Sequence, residues 1–190
     1  MMPGMLTKDE KRALLRLARQ ALEQGVRGQR LVPLDPQEIP PRLMEPGASF
    51  VTLTEAGDLR GCIGALEAYQ PLAEDVREHA MAAAMEDYRF PQVQVYELPK
   101  IQIEISYLTP QVPLDYQDWQ DLLAKLNPGK DGVVLRDGIR RATFLPQVWE
   151  KIPEPVLFLE YLCEKMGAAP DLWKKKHLTV SIYHVDEFHE

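Results

Sequence analysis

Between residues 7 and 24 the apolar positions Leu14, Leu15, Ala18, Ala21 and Leu22 recur at the spacing of one helix face. Thr7 with Glu10 three positions on is a capping-box pair, and Gly25 is the C-cap this pattern predicts. Pro33, Pro36, Pro40, Pro41 and Pro46 then remove backbone donors, which predicts an extended connector. Strand formers fill Ser49 to Glu55, Ala56-Gly57-Asp58 is turn chemistry, and Leu59 to Ala65 can pair back as a hairpin. Pro71 suits the first turn of a helix with Leu72, Val76, Ala80 and Ala83 on one face, ending near Asp87 before Pro91. Ile101, Ile103, Ile105 and Tyr107 alternate with Gln102, Glu104 and Ser106, the signature of a half-buried strand.

The second half follows the same order. Trp119, Leu122, Leu123 and Leu126 predict a helix, and Gly132 to Arg136 with Ile139 to Leu145 flank Asp137-Gly138 as a hairpin. Pro155 opens a helix carrying Val156, Leu159, Cys163 and Met166, and Leu178 to Val185 reads as a strand. Leu59 and Ile139 are 80 residues apart, Ile101 and Leu178 are 77 apart, and the order of elements agrees. The expected fold is therefore α+β: one domain over 1–190 made of two helix-hairpin-helix-strand repeats, about 7–108 and 116–185. These would form a largely antiparallel sheet with helices, as two lobes around a cleft. On this alignment Arg60 matches Arg140 and Cys62 matches Ala142, so a thiol occurs in one copy only.

Composition narrows the functional classes. A chain of 190 residues, 45% hydrophobic, can bury a core without a disulfide or metal. A formal charge of -7 argues against a phosphate backbone as the main partner. The basic clusters Arg140-Arg141 and Lys174-Lys175-Lys176-His177 are short enough to be solvated faces. No stretch in Met1 to Arg12 has signal-peptide character, and no later window reaches the roughly 18 apolar residues of a membrane span. A soluble cytoplasmic protein with two reduced thiols is the expectation.

Candidate chemistry concentrates at Leu59-Arg60-Gly61-Cys62-Ile63-Gly64. Gly61 and Gly64 leave the backbone bare on both sides of Cys62, and Arg60 supplies a positive charge for a thiolate or a small anionic ligand. Strand alternation puts Arg60 and Cys62 on one face unless a bulge intervenes. The alternative is that Cys62 is a small buried hydrophobe and the glycines relieve crowding against a helix. Asp87 and Arg89, in the loop after the second helix, either bind a ligand, pair with each other or cap the helix. Arg140, Arg141 and Thr143 lie on the second hairpin, while Phe144, Val148 and Trp149 read as core. Cys163 sits on the apolar face of its helix and reads as inert packing.

No metal is expected: His184-Val185-Asp186-Glu187-Phe188-His189-Glu190 contains ligand types, but no Cys-x-x-Cys or His-Glu-x-x-His spacing occurs. Nor is there a glycine-rich phosphate loop, a dinucleotide fingerprint or a Gly-x-Ser-x-Gly elbow, so no cofactor can be named.

The segments Phe50 to Leu53, Leu59 to Gly64, Asp87 to Pro91, Gly132 to Leu135, Arg141 to Trp149 and Phe158 to Cys163 follow in order the pattern of another group of chains. In these residues the chain resembles AMMECR-type domains, a family named for Alport syndrome, midface hypoplasia and elliptocytosis. Its bacterial and archaeal members are called AmmeMemoRadiSam system protein A, because they occur beside a Memo-like protein and a radical S-adenosylmethionine enzyme. The resemblance implies those two proteins as partners and marks the Leu59 to Gly64 run as the family signature. It also singles out Arg141 to Trp149, and so Arg141 and Thr143, as a further segment for the expected cleft. It implies no established reaction. Two functions are compatible with it: an enzyme using Cys62 as thiolate nucleophile or carrier with Arg60, Asp87 and Arg89, or a non-catalytic protein-interaction or nucleic-acid-associated binding module.

Overall fold

The computed structural model describes residues 4–190, which form two compact units. The first comprises the chain up to Thr109 together with Asp186–Glu190, and the second is Pro110–Val185.

In the first unit, helix α1 (Lys8–Val26) begins at the predicted capping box: the Thr7 side chain accepts from the Glu10 N–H, and Glu10 accepts from the Thr7 N–H at 2.7 Å. Its C-terminus departs from expectation. The helix runs through Gly25, where a Cβ would lie 2.5 Å from Met81 Cγ, so this glycine admits a side chain of the second helix. Gly28, at φ +68°, takes the left-handed position that ends it.

Strands β1 (Pro46–Glu55) and β2 (Asp58–Gly64) form the predicted hairpin, with Ala56 and Gly57 both at positive φ in its two-residue loop. A short strand β3 (Gln70–Pro71) pairs with the start of β1, and helix α2 (Leu72–Met85) follows. Strand β4 (Ile101–Leu108) buries Ile101, Ile103, Ile105 and Tyr107, the expected alternation. Helices α1 and α2 pack on each other, with α2 also against β1 and α1 against β4; Val51, Leu53, Ile103 and Ile105 are fully sealed.

The second unit contains β5 (Val112–Pro113), α3 (Trp119–Lys125), β6 (Gly132–Asp137), β7 (Arg140–Phe144), α4 (Val148–Lys151), α5 (Pro155–Lys165), α6 (Leu172–Lys175) and β8 (Thr179–Tyr183). Its hairpin loop is Gly138-Ile139, one residue later than the expected Asp137-Gly138, because Asp137 pairs with Arg140 and closes the ladder. Ile139 is fully exposed at that tip. In the core Trp149 stacks on Phe158 with ring centroids 3.6 Å apart and donates from Nε1 to the Asp131 carbonyl at 2.7 Å.

A last strand, β9 (Val185–His189), takes up the C-terminal tail, beyond the strand expected to end at Val185. It lies beside β4, so the first sheet has the order β2-β1-β4-β9 and the second β7-β6-β8-β5. The ladders of both sheets are antiparallel in the pairings β1-β2, β1-β4, β6-β7, β6-β8 and β5-β8. The tail's acidic groups serve this docking: Asp186, buried, accepts from the Leu6 N–H at 3.1 Å and from Lys11 Nζ at 2.5 Å, and Glu190 pairs with Arg19. Among the described residues no helix is long and apolar enough to cross a membrane.

Candidate functional site

The hairpin register decides where the signature side chains go. Thr52 lies opposite Cys62 and Leu53 opposite Gly61, but Thr54 lies opposite Leu59, so Arg60 is an extra residue in β2. This bulge overturns the simple alternation: Cys62 shares its face with Thr52, and Gly61 faces the helices alongside Leu53. It also changes the match to the second hairpin. Counting from the closing pairs Glu55–Asp58 and Asp137–Arg140, Gly61 corresponds to Ala142, Cys62 to Thr143, and Arg60 has no counterpart.

Gly61 is needed for contact with α2. A Cβ there would lie 2.1 Å from the Ala83 carbonyl oxygen, a backbone atom that cannot swing aside. Gly64 is covered by the Phe50 ring, which a Cβ would meet at 2.4 Å. These glycines therefore relieve crowding, as the structural alternative required, and the close approach at Gly61 brings the segment after α2 onto β2.

That segment carries Asp87 and Arg89. β2 is an edge strand, and the outward backbone groups of Cys62 are satisfied by side chains where a neighbouring strand would otherwise bind. The Cys62 N–H donates to Asp87 Oδ2 at 2.9 Å, and Arg89 Nη2 donates to the Cys62 carbonyl at 3.0 Å. The two side chains also pair with each other, Nε to Oδ1 at 2.9 Å and Nη2 to Oδ2 at 2.7 Å. Of the readings open in the sequence, pairing with each other is present. The Arg89 guanidinium holds the Asp87 carboxyl well below the usual carboxylate range against the opposing effect of burial, and the Cys62 and Arg89 N–H groups add to it. Arg89 is held firmly protonated, chiefly by its hydrogen bonds to Asp87.

Arg60 has another job. Its Nε and Nη2 reach Glu97 at 2.8 and 3.2 Å, and Nη1 donates to the Pro91 carbonyl at 2.7 Å. Both side chains are largely buried, 15% and 9% exposed, so the pair fastens the loop between α2 and β4. Arg60 holds Glu97 below its ordinary range despite burial. The guanidinium bound to Cys62 is thus that of Arg89.

The sulfur of Cys62 is half-buried and accepts a hydrogen bond from the Thr52 hydroxyl at 3.3 Å. Thr52 and Glu97 were not singled out in the sequence. The hairpin register would have found Thr52, since the residue directly opposite on the paired strand is the nearest same-face neighbour. Cys163 is fully buried, and desolvation pushes its thiol up.

Arg141 and Thr143 lie on β7 of the second unit. The Thr143 hydroxyl is 3.1 Å from the Tyr183 hydroxyl, and its carbonyl accepts from Lys165 Nζ at 2.9 Å. In the tail, His184 is 3.1 Å from Asp131 Oδ1, and among the described residues no three His, Cys, Asp or Glu side chains converge as metal ligands.

These features define an α+β protein with two antiparallel sheets, whose first hairpin presents a cysteine held by an Asp–Arg pair. The chain belongs to the AMMECR1 family, which it matches over residues 15–188. A protein of Methanothermobacter thermautotrophicus is 37% identical, covering 97% of this chain and 96% of its own. One from Thermofilum pendens is 36% identical over 98% of this chain and 92% of its own. The crystal structure of the uncharacterized protein PH0010 from Pyrococcus horikoshii superposes with a TM-score of 0.75 at 32% identity, covering 97% of this chain and 93% of the other.

Proposed function

We propose that Cys62 is a reactive thiolate in a site for a small anionic ligand, acting as nucleophile or transient carrier, with Arg89 as the anion-binding group. The observation that carries this reading is the convergence on one residue of a hydroxyl donor at the sulfur and a charged guanidinium at the carbonyl. Both favour negative charge at that position. Asp87 is a positioning residue: a carboxylate held so far into its ionised form is a weak base. The chemistry is therefore attack by the sulfur without a general base at Asp87. The Arg89 side chain is 47% exposed, enough for one edge of its guanidinium to meet a ligand.

The test is the alkylation rate of Cys62 by iodoacetamide against pH, in which the sulfur displaces iodide. Cys163, sealed in its core, serves as an internal control. Cys62 should react faster than a cysteine in an unstructured peptide at the same pH, and Arg89→Gln should slow it. A rate no higher than the peptide's, or one unchanged in Arg89→Gln, removes the nucleophile.

A second reading has its own observation. Tyr88, between Asp87 and Arg89, is 97% exposed, and Tyr96 nearby in sequence is 72% exposed, which suits a protein-binding surface. The partner classes are those the family resemblance implies, a Memo-like protein and a radical S-adenosylmethionine enzyme in the cytoplasm. Tyr88→Ala, which touches no fold contact of the pair, should abolish copurification with them if this surface binds. Retained binding rejects it.

A further inference from the structure

We infer that Glu104 is the cation-binding end of the Cys62 site, and that the ligand is a zwitterion whose two charges lie about 10 Å apart. The inference rests on the reading of Cys62 as a reactive sulfur with Arg89 as its anion-binding group, and supplies the other half of the ligand.

The sheet register places the carboxylate. Thr52 pairs with Cys62 on β2 and with Glu104 on β4, so the three residues form one row across three neighbouring strands. Directly opposed residues of antiparallel strands project to the same face, and the Thr52 hydroxyl meets the Cys62 sulfur at 3.3 Å on that face. Glu104 therefore stands on the sulfur's side of the sheet, while Ile103 and Ile105 on either side of it are sealed in the core. The bulge leaves the row intact, because the register shifts between Leu53 and Thr54, beyond it.

The backbone of Cys62 fixes the opposite end. Its N–H and carbonyl turn outward to Asp87 and Arg89, so Arg89 lies beyond the outer edge of β2 and Glu104 two strands inward. The sulfur is between them. Neighbouring strands are about 4.8 Å apart, which makes the span about 10 Å, the length of about three extended residues.

Nothing in the fold employs this carboxylate. Glu104 is half-buried, and among the described residues it makes no hydrogen bond or ion pair. Its neighbours on β1, Thr52 opposite and Phe50 and Thr54 on the diagonals, carry no charge. Glutamate is poorly suited to a strand interior, so neither propensity nor a partner accounts for it. Its charge repels a second anionic group and attracts a cationic one. A ligand with its negative end on Arg89 and its positive end on Glu104 crosses the Thr52 hydroxyl and puts an internal atom, not a terminus, at the sulfur.

The experiment measures how far triglycine, a zwitterion of that span, slows alkylation of Cys62 by neutral iodoacetamide in the whole protein at low salt. N-acetyltriglycine, which lacks the ammonium, is the comparison, and each rate is divided by the same protein's rate without peptide. Triglycine should protect at millimolar concentration, and N-acetyltriglycine should need about two- to fivefold more for the same effect, the worth of one exposed charge pair. In Glu104→Gln, an isosteric change, the two peptides should protect equally. Triglycine that protects no better than N-acetyltriglycine, in a protein whose Cys62 still outpaces a cysteine in an unstructured peptide, overturns the assignment of Glu104 alone. A difference that persists in Glu104→Gln overturns it as well, by placing the ammonium elsewhere. A Cys62 that does not outpace the peptide cysteine removes the underlying reading, and this one with it.

Discussion

Replacing Gly61 by alanine tests whether the signature glycine exists for packing. The new Cβ would stand 2.1 Å from the Ala83 oxygen and 3.0 Å from its carbonyl carbon, both backbone atoms of α2. Restoring ordinary contact, about 3.5 Å, moves the helix end from the strand by about 1 Å or more. That displacement costs on the order of 1–3 kcal/mol as overpacking. It also stretches the 2.9 Å bond from the Cys62 N–H to Asp87, worth about 1.5–3 kcal/mol as a hydrogen bond to a charged group. The sum, about 2.5–6 kcal/mol, corresponds to a Tm lower by about 5–24 °C in a chain of this size. Gly57→Ala is the control: its φ is +88° and a Cβ there meets nothing, so only the left-handed backbone cost of about 1–2 kcal/mol applies. Thermal and urea denaturation of both variants measure the difference. If Gly61→Ala loses no more stability than Gly57→Ala, the close approach of β2 to α2 is not what the glycine provides.

Two further outcomes follow from the ion pairs. Arg60→Ala leaves Glu97 largely buried without its guanidinium and should destabilise by about 3 kcal/mol in urea titration; a change below about 1 kcal/mol contradicts its role as a fastener. Because the folded state depresses both Asp87 and Glu97, their contribution is complete above the ordinary carboxylate range and is lost as pH falls through it, when the unfolded chain takes up protons first. Urea midpoints should thus decline from pH 5 downward. Asp87→Asn should flatten that slope by up to about 1.4 kcal/mol per pH unit, and an unchanged slope refutes the coupling.

Element types were legible because periodicity and capping are local signals. The capping box at Thr7, the alternation along β4 and the Pro155 start of α5 each lie within a few residues of their cause. The misplaced features depend on residues far away in sequence. Gly25 looks like a helix terminator until Met81 of α2 lies against it, and the tail gains a strand only because β4 offers an edge. At the site, Cys62, Asp87 and Arg89 were singled out and do come together. Arg60 was assigned the wrong partner, since one extra residue in β2 rotates every side chain beyond it and no local signal marks a bulge. Glu97 was invisible because the guanidinium it meets lies 37 residues away in sequence.

The claim on which the functional reading turns is that Arg89 places positive charge beside a nucleophilic Cys62 sulfur. Carboxymethylation by anionic iodoacetate, relative to neutral iodoacetamide at one pH and low salt, reads that charge directly. The account predicts a higher iodoacetate-to-iodoacetamide rate ratio at Cys62 than at a cysteine in an unstructured peptide, falling to the peptide value in Arg89→Gln. A ratio equal to the peptide's in the unmodified protein, or one that Arg89→Gln leaves unchanged, contradicts it.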